Sequence, residues 1–322
     1  MPPQRVAIVG AGLAGLACAR TLAAHGVELA LFDKGRSAGG RLATRRVEQD
    51  GQVFAFDHGA QYLTARGALF RALLDAAGAR TWPAEGKRVG VPRMSALARG
   101  LAEGLSPAVG REVIALEGGP GAWMLRHVAS RRPGSTVEDD PRTEGPFDAV
   151  ALAVPAPQAA TLLARPAQHL ARVVELVRMA PCWTLMAAFE TKLDLPDTLR
   201  PQDGPIGWAA RDSSKPGRDA GRECWVVQAT AAWSRENLER RPAEAQAALM
   251  EAFAALAGAE LPPVLFAAAH RWRHALVETP LGAPCLWEPS RGLGAAGDWC
   301  IGARAEAAVE SGAALGALIA GR

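Results

Sequence analysis

Three glycines, Gly10, Gly12 and Gly15, stand between a short β-branched run, RVAIV, and an alanine-rich stretch, LACARTLAAHG. Asp33 follows at the end of a second apolar run, VELALFD. Residues of these types at this spacing bind a dinucleotide. Gly10 permits a tight turn, Gly12 lets the backbone approach a pyrophosphate, and Gly15, with Ala19 a turn later, lets helix and strand pack closely. Leu13 and Ala14 open the helix, whose free N–H groups and dipole favour an anion. Asp33 stands where an acid grips a ribose hydroxyl pair, with Lys34 beside it. A lone glycine pattern is weakly specific. Here strand, turn, helix, second strand and acid are all in register.

The residues after Asp33 choose between cofactors. Five positions separate it from Gly39-Gly40-Arg41, and Thr44-Arg45 follow. NAD-binding units require no such sequence, whereas D-x5-GGR-x-x-T resembles the second fingerprint of FAD enzymes of the glutathione-reductase-like and amine-oxidase class. Gly40 lets the chain pass close to the cofactor, and Arg41 supplies charge for the pyrophosphate. Near the other end, Gly297-Asp298 before a helix is similar to the C-terminal FAD motif, in which the aspartate binds the ribityl chain. That helix, starting near Gly302–Arg304 and running on through Ala305, is expected to aim its positive end at the flavin pyrimidine, favouring the reduced, negatively charged ring. Val113, in the strand-like REVIALE, completes the set of cofactor-binding candidates.

These motifs need two kinds of scaffold. The first 34 residues predict strand, turn, helix and strand. MSALARGLAEGL (94–105) predicts a helix, FDAVALAVP (147–155) a buried strand, and residues 129–146, poor in large apolar side chains, a long hairpin loop. Between about 160 and 284 the pattern changes. CWTLMAAFE, PIGWAARD, CWVVQATAAW and VLFAAAHRWRHA predict strands, and PAEAQAALMEAFAALAG a helix. Strands with few helices between them indicate an antiparallel sheet. The expected fold is α/β: a glutathione-reductase-like Rossmann FAD domain (1–75, 93–160 and 285–322) with an inserted, mainly antiparallel β-sheet substrate domain (76–92 and 161–284). The site is expected between them.

Composition excludes several classes. A net charge of +3 over 322 residues gives no reason to expect nucleic acid or an anionic membrane as partner. Five scattered cysteines without a C-x-x-C argue against a disulfide framework or structural zinc and fit a reducing cytoplasm. VAIVGAGLAGLACA has the length of a signal-peptide apolar region, but its glycines fit a nucleotide turn better. No other stretch has the length of a membrane span. No metal site is expected.

Along its whole length the chain resembles the renalases, small flavoproteins of the amine-oxidase superfamily, on FDKGRSAGGRLATRR, DHGAQYLTAR, AVPAPQ, APCWTLM, RDSSKPGR, WVVQAT, HRWRHA and GDWCIGARAEAAVESG. The resemblance implies non-covalent FAD and oxidation of dihydronicotinamides reduced at the wrong ring position, the 1,2- and 1,6-dihydro isomers of NAD(P)H. O2 then reoxidises the flavin to give H2O2. Such a donor loses hydride without first losing a proton, so no catalytic base is named. An amine oxidase or desaturase on the same scaffold, or a flavin-binding redox sensor without turnover, are the alternatives.

The superfamily likeness also gives DHGAQYLTAR a role. It holds the only tyrosine of the chain, and a surface turn is the plainer reading of so polar a stretch. In the superfamily the turn matching His58-Gly59-Ala60 passes the flavin ring, with Gly59 allowing close approach. Gln61, with donor and acceptor, then suits a carboxamide, and Tyr62 offers a ring face and a hydroxyl. Trp208, Trp272 and Trp287 are the tryptophans expected to line the substrate side; together with Trp183 and Trp225 they fall in or beside the substrate sheet, where most such residues are core. In HRWRHA, period-two geometry puts His270, Trp272 and His274 on one face and Arg271 and Arg273 on the other, where an arginine is available for substrate phosphate.

Overall fold

The structure is a computed structural model describing residues 3–130 and 140–322. The chain forms two compact units, Met1–Gly40 with Ala98–Met179 and Val277–Arg322, and Arg41–Leu97 with Ala180–Leu276. Residues 41–75 and 93–97, expected in the FAD domain, pack in the second unit, and residues 161–179 and 277–284, expected in the substrate domain, pack in the first.

In the first unit, β1 (Arg5–Val9), α1 (Leu13–Ala23) and β2 (Glu28–Asp33) form the expected strand–helix–strand. Strand β1 is central, paired parallel to β2 on one side and to Ala149–Leu152 on the other. Ala108–Val109 extends the sheet beyond β2, and Leu293–Ala295 and then Leu286–Glu288 extend it the other way. All pairings are parallel except that of the last two strands. Val6, Ala7 and Ile8 are fully buried, as a parallel strand covered on both faces requires. The C-terminal helix Ala305–Ile319 lies against α1. Gly312 makes that approach possible, because a Cβ there would stand 2.0 Å from the carbonyl oxygen of Ala14.

A three-stranded antiparallel sheet, Arg111–Glu117, Trp123–Ala129 and Arg142–Phe147, packs in the same unit. Its last strand corrects the expectation of a loop across 129–146. Phe147 is fully buried and Arg142–Glu144 pair with Leu125–His127, while the middle of the expected loop lies outside the described residues. Helices Ala156–Leu163 and Gln168–Val174 were not predicted. They pack Ala156, Ala159, Leu163, Ala171 and Val174 into the core beneath the sheet.

The second unit holds a five-stranded sheet in the order Thr198–Leu199, Ile206–Arg211, Glu223–Ala229, Arg178–Phe189, Val264–Thr279. The strand Arg178–Phe189 explains why TLMAAF reads as unbroken apolar sequence: both of its faces are covered. Leu185, Ala187 and Phe189 face the helix Pro242–Ala257 through Leu249 and Phe253. Met186 and Ala188 face Phe54 and Phe56 of the hairpin formed by Thr44–Gln49 and Gln52–Asp57. The run CWVVQATAAW is strand only to Ala229, since Thr230 caps a helix, Ala231–Glu236, by accepting from the Trp233 amide at 3.3 Å. No described helix is long and apolar enough to cross a membrane.

The helix contact gives a direct test. Gly312→Ala forces a methyl group into the Ala14 carbonyl and is expected to cost about 1–3 kcal/mol, seen as a lower denaturation midpoint at unchanged slope. Gly100→Ala, in the helix Ser95–Ala102 where a Cβ meets nothing within 4 Å, is expected to leave the midpoint unchanged or raise it.

Candidate active site

The glycine turn has the geometry of an anion cradle. Gly10 adopts φ +106°, open to glycine at little cost, and a Cβ there would also lie 2.4 Å from the Ala153 carbonyl oxygen. A Cβ at Gly15 would meet the Gly10 carbonyl oxygen at 1.8 Å, so the turn itself demands this glycine. Gly12 differs. It is the N-cap of α1, has no side-chain cap, and a Cβ on it would meet nothing within 4 Å. The first turn of α1, including Leu13 and Ala14, carries no acidic residue. Uncapped N–H groups at a positive helix end, beside an open glycine, are what a pyrophosphate needs.

Asp33 orders the rim of this cradle. One carboxylate oxygen accepts from the Ala11 amide and the other from the Gly35 amide, both at 2.6 Å, which leaves a lone pair on each for a ribose hydroxyl. Gly39 donates to the Ala11 carbonyl at 2.8 Å, and a Cβ on Gly40 would stand 3.6 Å from the Gly12 Cα. The two fingerprints therefore converge in the first unit. Lys34 is exposed beside Glu112 at 3.9 Å. Val113 is part of the buried core with Phe32 and Trp123. Gly297 donates to the buried Ser311 hydroxyl at 3.0 Å, and Asp298, also buried, starts a single helical turn before the C-terminal helix. Arg304 is the N-cap residue of that longer helix and Ala305 its first residue, as expected. Its first turn also holds buried Glu306, bound by Arg304 at 3.0 Å, so part of its positive end is neutralised within the protein.

In the second unit, side chains clamp every carbonyl of the turn at 57–59. The Gln61 carboxamide donates to Asp57 O at 2.6 Å and Gly59 O at 3.1 Å, Gln228 also donates to Gly59 O at 2.8 Å, and the Trp272 indole donates to His58 O at 3.0 Å. The carboxamide oxygen of Gln61 accepts from Lys215 at 3.3 Å. Gln61 thus spends its donors on the turn and its acceptor on Lys215, where a ligand carboxamide was expected. Gly59 is required for a second reason than the one expected: a Cβ there would lie 2.0 Å from the Arg41 carbonyl oxygen, to which Ala60 N–H also bonds. The Arg41 guanidinium itself donates to Ala275 O at 2.9 Å.

Beneath the turn lies a group of buried charges that the sequence reading missed. Lys215, with no side-chain surface exposed, sits 2.6 Å from Asp212 and 3.7 Å from Asp57, and Arg218 pairs with Asp57. Burial alone would raise the Asp57 carboxyl, but Lys215 and Arg218, with a hydrogen bond from Thr44, hold it below the usual range. Burial, against the pull of Lys215 and with the charge of Asp57 nearby, pushes Asp212 up. Part of this group lies in RDSSKPGR, but nothing local in that stretch says which carboxylate it meets.

Two aromatic clusters flank the turn in this unit. His58, His270 and Trp272 have ring centroids 4.5–5.1 Å apart. Burial lowers both histidines to about 4, helped for His58 by His270 and for both by Arg45, so both rings are neutral at pH 7. Tyr62 lies 5.7 Å from Trp208, with the Lys87 ammonium 4.7 Å from its ring centre and Arg200 donating to its hydroxyl at 3.2 Å. Arg271 and Arg273, expected to be available for phosphate, both close on Glu239. Trp287, expected on the substrate side, belongs to the first unit, on the edge strand Leu286–Glu288 opposite Gly294. Trp183 and Trp225 are fully buried. Cys300 is buried, which pushes its thiol up to about 12 and leaves it unreactive.

Comparison with known proteins agrees with this geometry. Residues 8–77 match the NAD(P)-binding Rossmann-like domain and residues 83–314 the flavin containing amine oxidoreductase family. The mitochondrial protoporphyrinogen oxidase of Nicotiana tabacum is 40% identical over 77 residues, 24% of this chain and 14% of that protein. The L-amino-acid oxidase of Pseudechis australis is 47% identical over 49 residues, 15% of this chain and 10% of that one. The chain thus spans only a small part of the curated relatives it matches. Among solved structures, one assigned as a protoporphyrinogen oxidase from Exiguobacterium sp. 255-15 superposes with a TM-score of 0.72 at 14% identity, covering 98% of each chain. Wild-type putrescine oxidase bound to putrescine gives 0.66 at 14% identity, covering 99% of each.

The chain belongs to the flavin-containing amine oxidoreductase family. Its cofactor is FAD, and the open Gly12 cradle beside Asp33 and Gly40 fits the dinucleotide part of that molecule.

Two measurements check this site. Gly12→Val is expected to fold with about the thermal stability of FAD-free wild type but to purify without flavin, because its side chain occupies the place of the pyrophosphate. Gly10→Ala is expected to lower stability itself, and a yellow, stable Gly12→Val protein would refute the cradle. The histidine pair predicts a pH effect. Each histidine has a folded value near 4 against 6.5 unfolded, so the unfolded state binds more protons between those pH values and stability falls as pH drops through that window. The loss is on the order of 3 kcal/mol per histidine at full protonation. In denaturant titrations at pH 4.5 and 7, the His58→Gln/His270→Gln variant is expected to lose less than wild type.

Proposed function

We propose that this protein oxidises misreduced nicotinamides, the 1,2- and 1,6-dihydro isomers of NAD(P)H, to NAD(P)+, as its resemblance to the renalases suggests. FAD, when bound, supplies the hydride acceptor, and O2 regenerates it with release of H2O2. The chain's own residues have positioning work to do. The clamped turn at 57–59 fixes His58 and Gly59, and the neutral rings of His58, His270 and Trp272 offer an uncharged wall to a neutral dihydropyridine.

The observation that carries the reading is the surroundings of Tyr62. Its ring face already bears the Lys87 ammonium and its hydroxyl the Arg200 guanidinium. A protonated amine approaching that ring meets two like charges, whereas a neutral dihydropyridine with anionic phosphates does not. Amine oxidation is the second reading, favoured by family membership and by the likeness to putrescine oxidase.

Anaerobic mixing separates them. Rapid flavin bleaching by 1,2- or 1,6-dihydro-NAD(P)H, with none by putrescine or other primary amines, is the expected result. Bleaching by amines alone would replace this function with amine oxidation, and no bleaching by either would point to a redox sensor. Tyr62→Phe is expected to slow reduction by up to about tenfold at unchanged FAD content, the worth of one hydrogen bond.

A further inference from the structure

We propose that Lys87, Arg200, Tyr62 and Trp208 form a subsite for the phosphate groups of the substrate. The proposal rests on the dinucleotide reading above only for the identity of the anion.

Several cations of the second unit are met by carboxylates. Arg211 is met by Asp197 and Glu223, Lys215 by Asp57 and Asp212, Arg218 by Asp57, and Arg271 and Arg273 by Glu239. Lys87 and Arg200 pair with no carboxylate among the described residues. They converge instead on one phenol, Lys87 on its ring and Arg200 on its oxygen. Two positive charges gathered at one side chain raise the local potential, and an anion relieves it.

A second, independent observation comes from Trp208. This residue is only 8% exposed, and its indole N–H is buried with no hydrogen-bond partner in the folded chain. Indole nitrogen is donor only, so an acceptor is what it lacks. The exposed Arg200 side chain lies over the same ring, its guanidinium carbon 5.2 Å from the centroid. The Tyr62 oxygen accepts from Arg200 and keeps its own proton free to donate. The four side chains together offer ammonium, guanidinium, hydroxyl and indole donors, with no carboxylate among them. Such a set selects a ligand rich in acceptors and negative in charge, and a phosphate or pyrophosphate supplies both.

Two arms test the subsite on the FAD-loaded protein. In the first, calorimetric titration follows inorganic pyrophosphate and, separately, succinate. Pyrophosphate is expected to bind wild type, to bind the Lys87→Gln/Arg200→Gln variant at least tenfold more weakly, and to bind Trp208→Phe, which keeps the ring and loses the N–H, several-fold more weakly. Equal affinity in wild type and the double variant, or no binding to wild type, overturns the proposal. Tighter binding of succinate than of pyrophosphate would make this a carboxylate site and overturns the phosphate assignment. In the second arm, anaerobic reduction compares 1,6-dihydro-NAD with the phosphate-free N-methyl-1,6-dihydronicotinamide. The double variant is expected to lose at least tenfold of the wild-type preference for the dinucleotide, and an unchanged preference overturns the proposal. If neither donor reduces the flavin while pyrophosphate binds as described, the functional reading fails and the anion subsite stands.

Discussion

A lysine with no side-chain surface exposed, held between two buried carboxylates, fixes the turn at 57–59 around which the second unit's aromatic clusters gather. Taking one charge out of water costs several kcal/mol even after relaxation, so none of Asp57, Asp212, Lys215 or Arg218 is tenable alone. Together they are two anions and two cations, with Thr44 and the Met94 amide satisfying further lone pairs of Asp57. Removing any one leaves an uncompensated buried charge, so the four stand or fall as a unit. The network reaches the turn through Gln61, whose oxygen is taken by Lys215 and whose donors then have to point at Asp57 O and Gly59 O. With Gln228 and Trp272 holding Gly59 O and His58 O as well, the carbonyls of the turn are committed to protein donors. The backbone N–H groups of His58 and Gly59 have no partner among the described residues. An acceptor beside this turn finds donors already oriented.

The cofactor cradle depends on different physics, and this is why it was legible in the sequence. A turn at φ +106°, a helix start without a cap and a glycine with space above it are properties of a dozen consecutive residues. Their signature survives in a one-dimensional pattern because backbone sterics act locally. The buried charges are a different case. Lys215 and Gln228 lie 154 and 169 positions beyond the turn residues they bind. Nothing in RDSSKPGR or WVVQAT states that pairing; only the folded sheet brings it about.

The same contrast explains the misplacements. Gln61 has the donor and acceptor expected of a carboxamide-binding residue, but the competing demand came from backbone carbonyls two and four residues away. In HRWRHA the period-two division was right, since His270 and Trp272 do share a cluster while Arg271 and Arg273 turn elsewhere. What the alternation did not contain was Glu239, more than thirty positions earlier, which occupies both guanidiniums. Trp287, named for the substrate side, lies in the 285–322 segment assigned to the FAD domain and packs in the first unit. A three-residue strand carries too little periodicity to reveal that it pairs with Leu293–Ala295 at the edge of the parallel sheet. The strand at Arg142–Phe147 was lost for a similar reason: charge, glycine and proline mask a segment anchored chiefly by one buried phenylalanine.

A fold shared at 14% identity with proteins named for porphyrinogens and for putrescine does not by itself choose a substrate. Flavin enzymes of one architecture present the same reactive ring, so discrimination falls to the charge and shape of the surrounding wall. Here Tyr62 carries the Lys87 ammonium over its ring and the Arg200 guanidinium at its oxygen. Placing Lys87 and Arg200 there without carboxylates works against an amine and for an anion, by repulsion as much as by attraction. Tyr62, the one tyrosine of the chain, meets both demands, a ring that tolerates an ammonium on its face and an oxygen that accepts from a guanidinium while still able to donate. Phenylalanine offers only the first. The side chain that looked out of place in a polar turn is where the Lys87 ammonium and the Arg200 guanidinium meet.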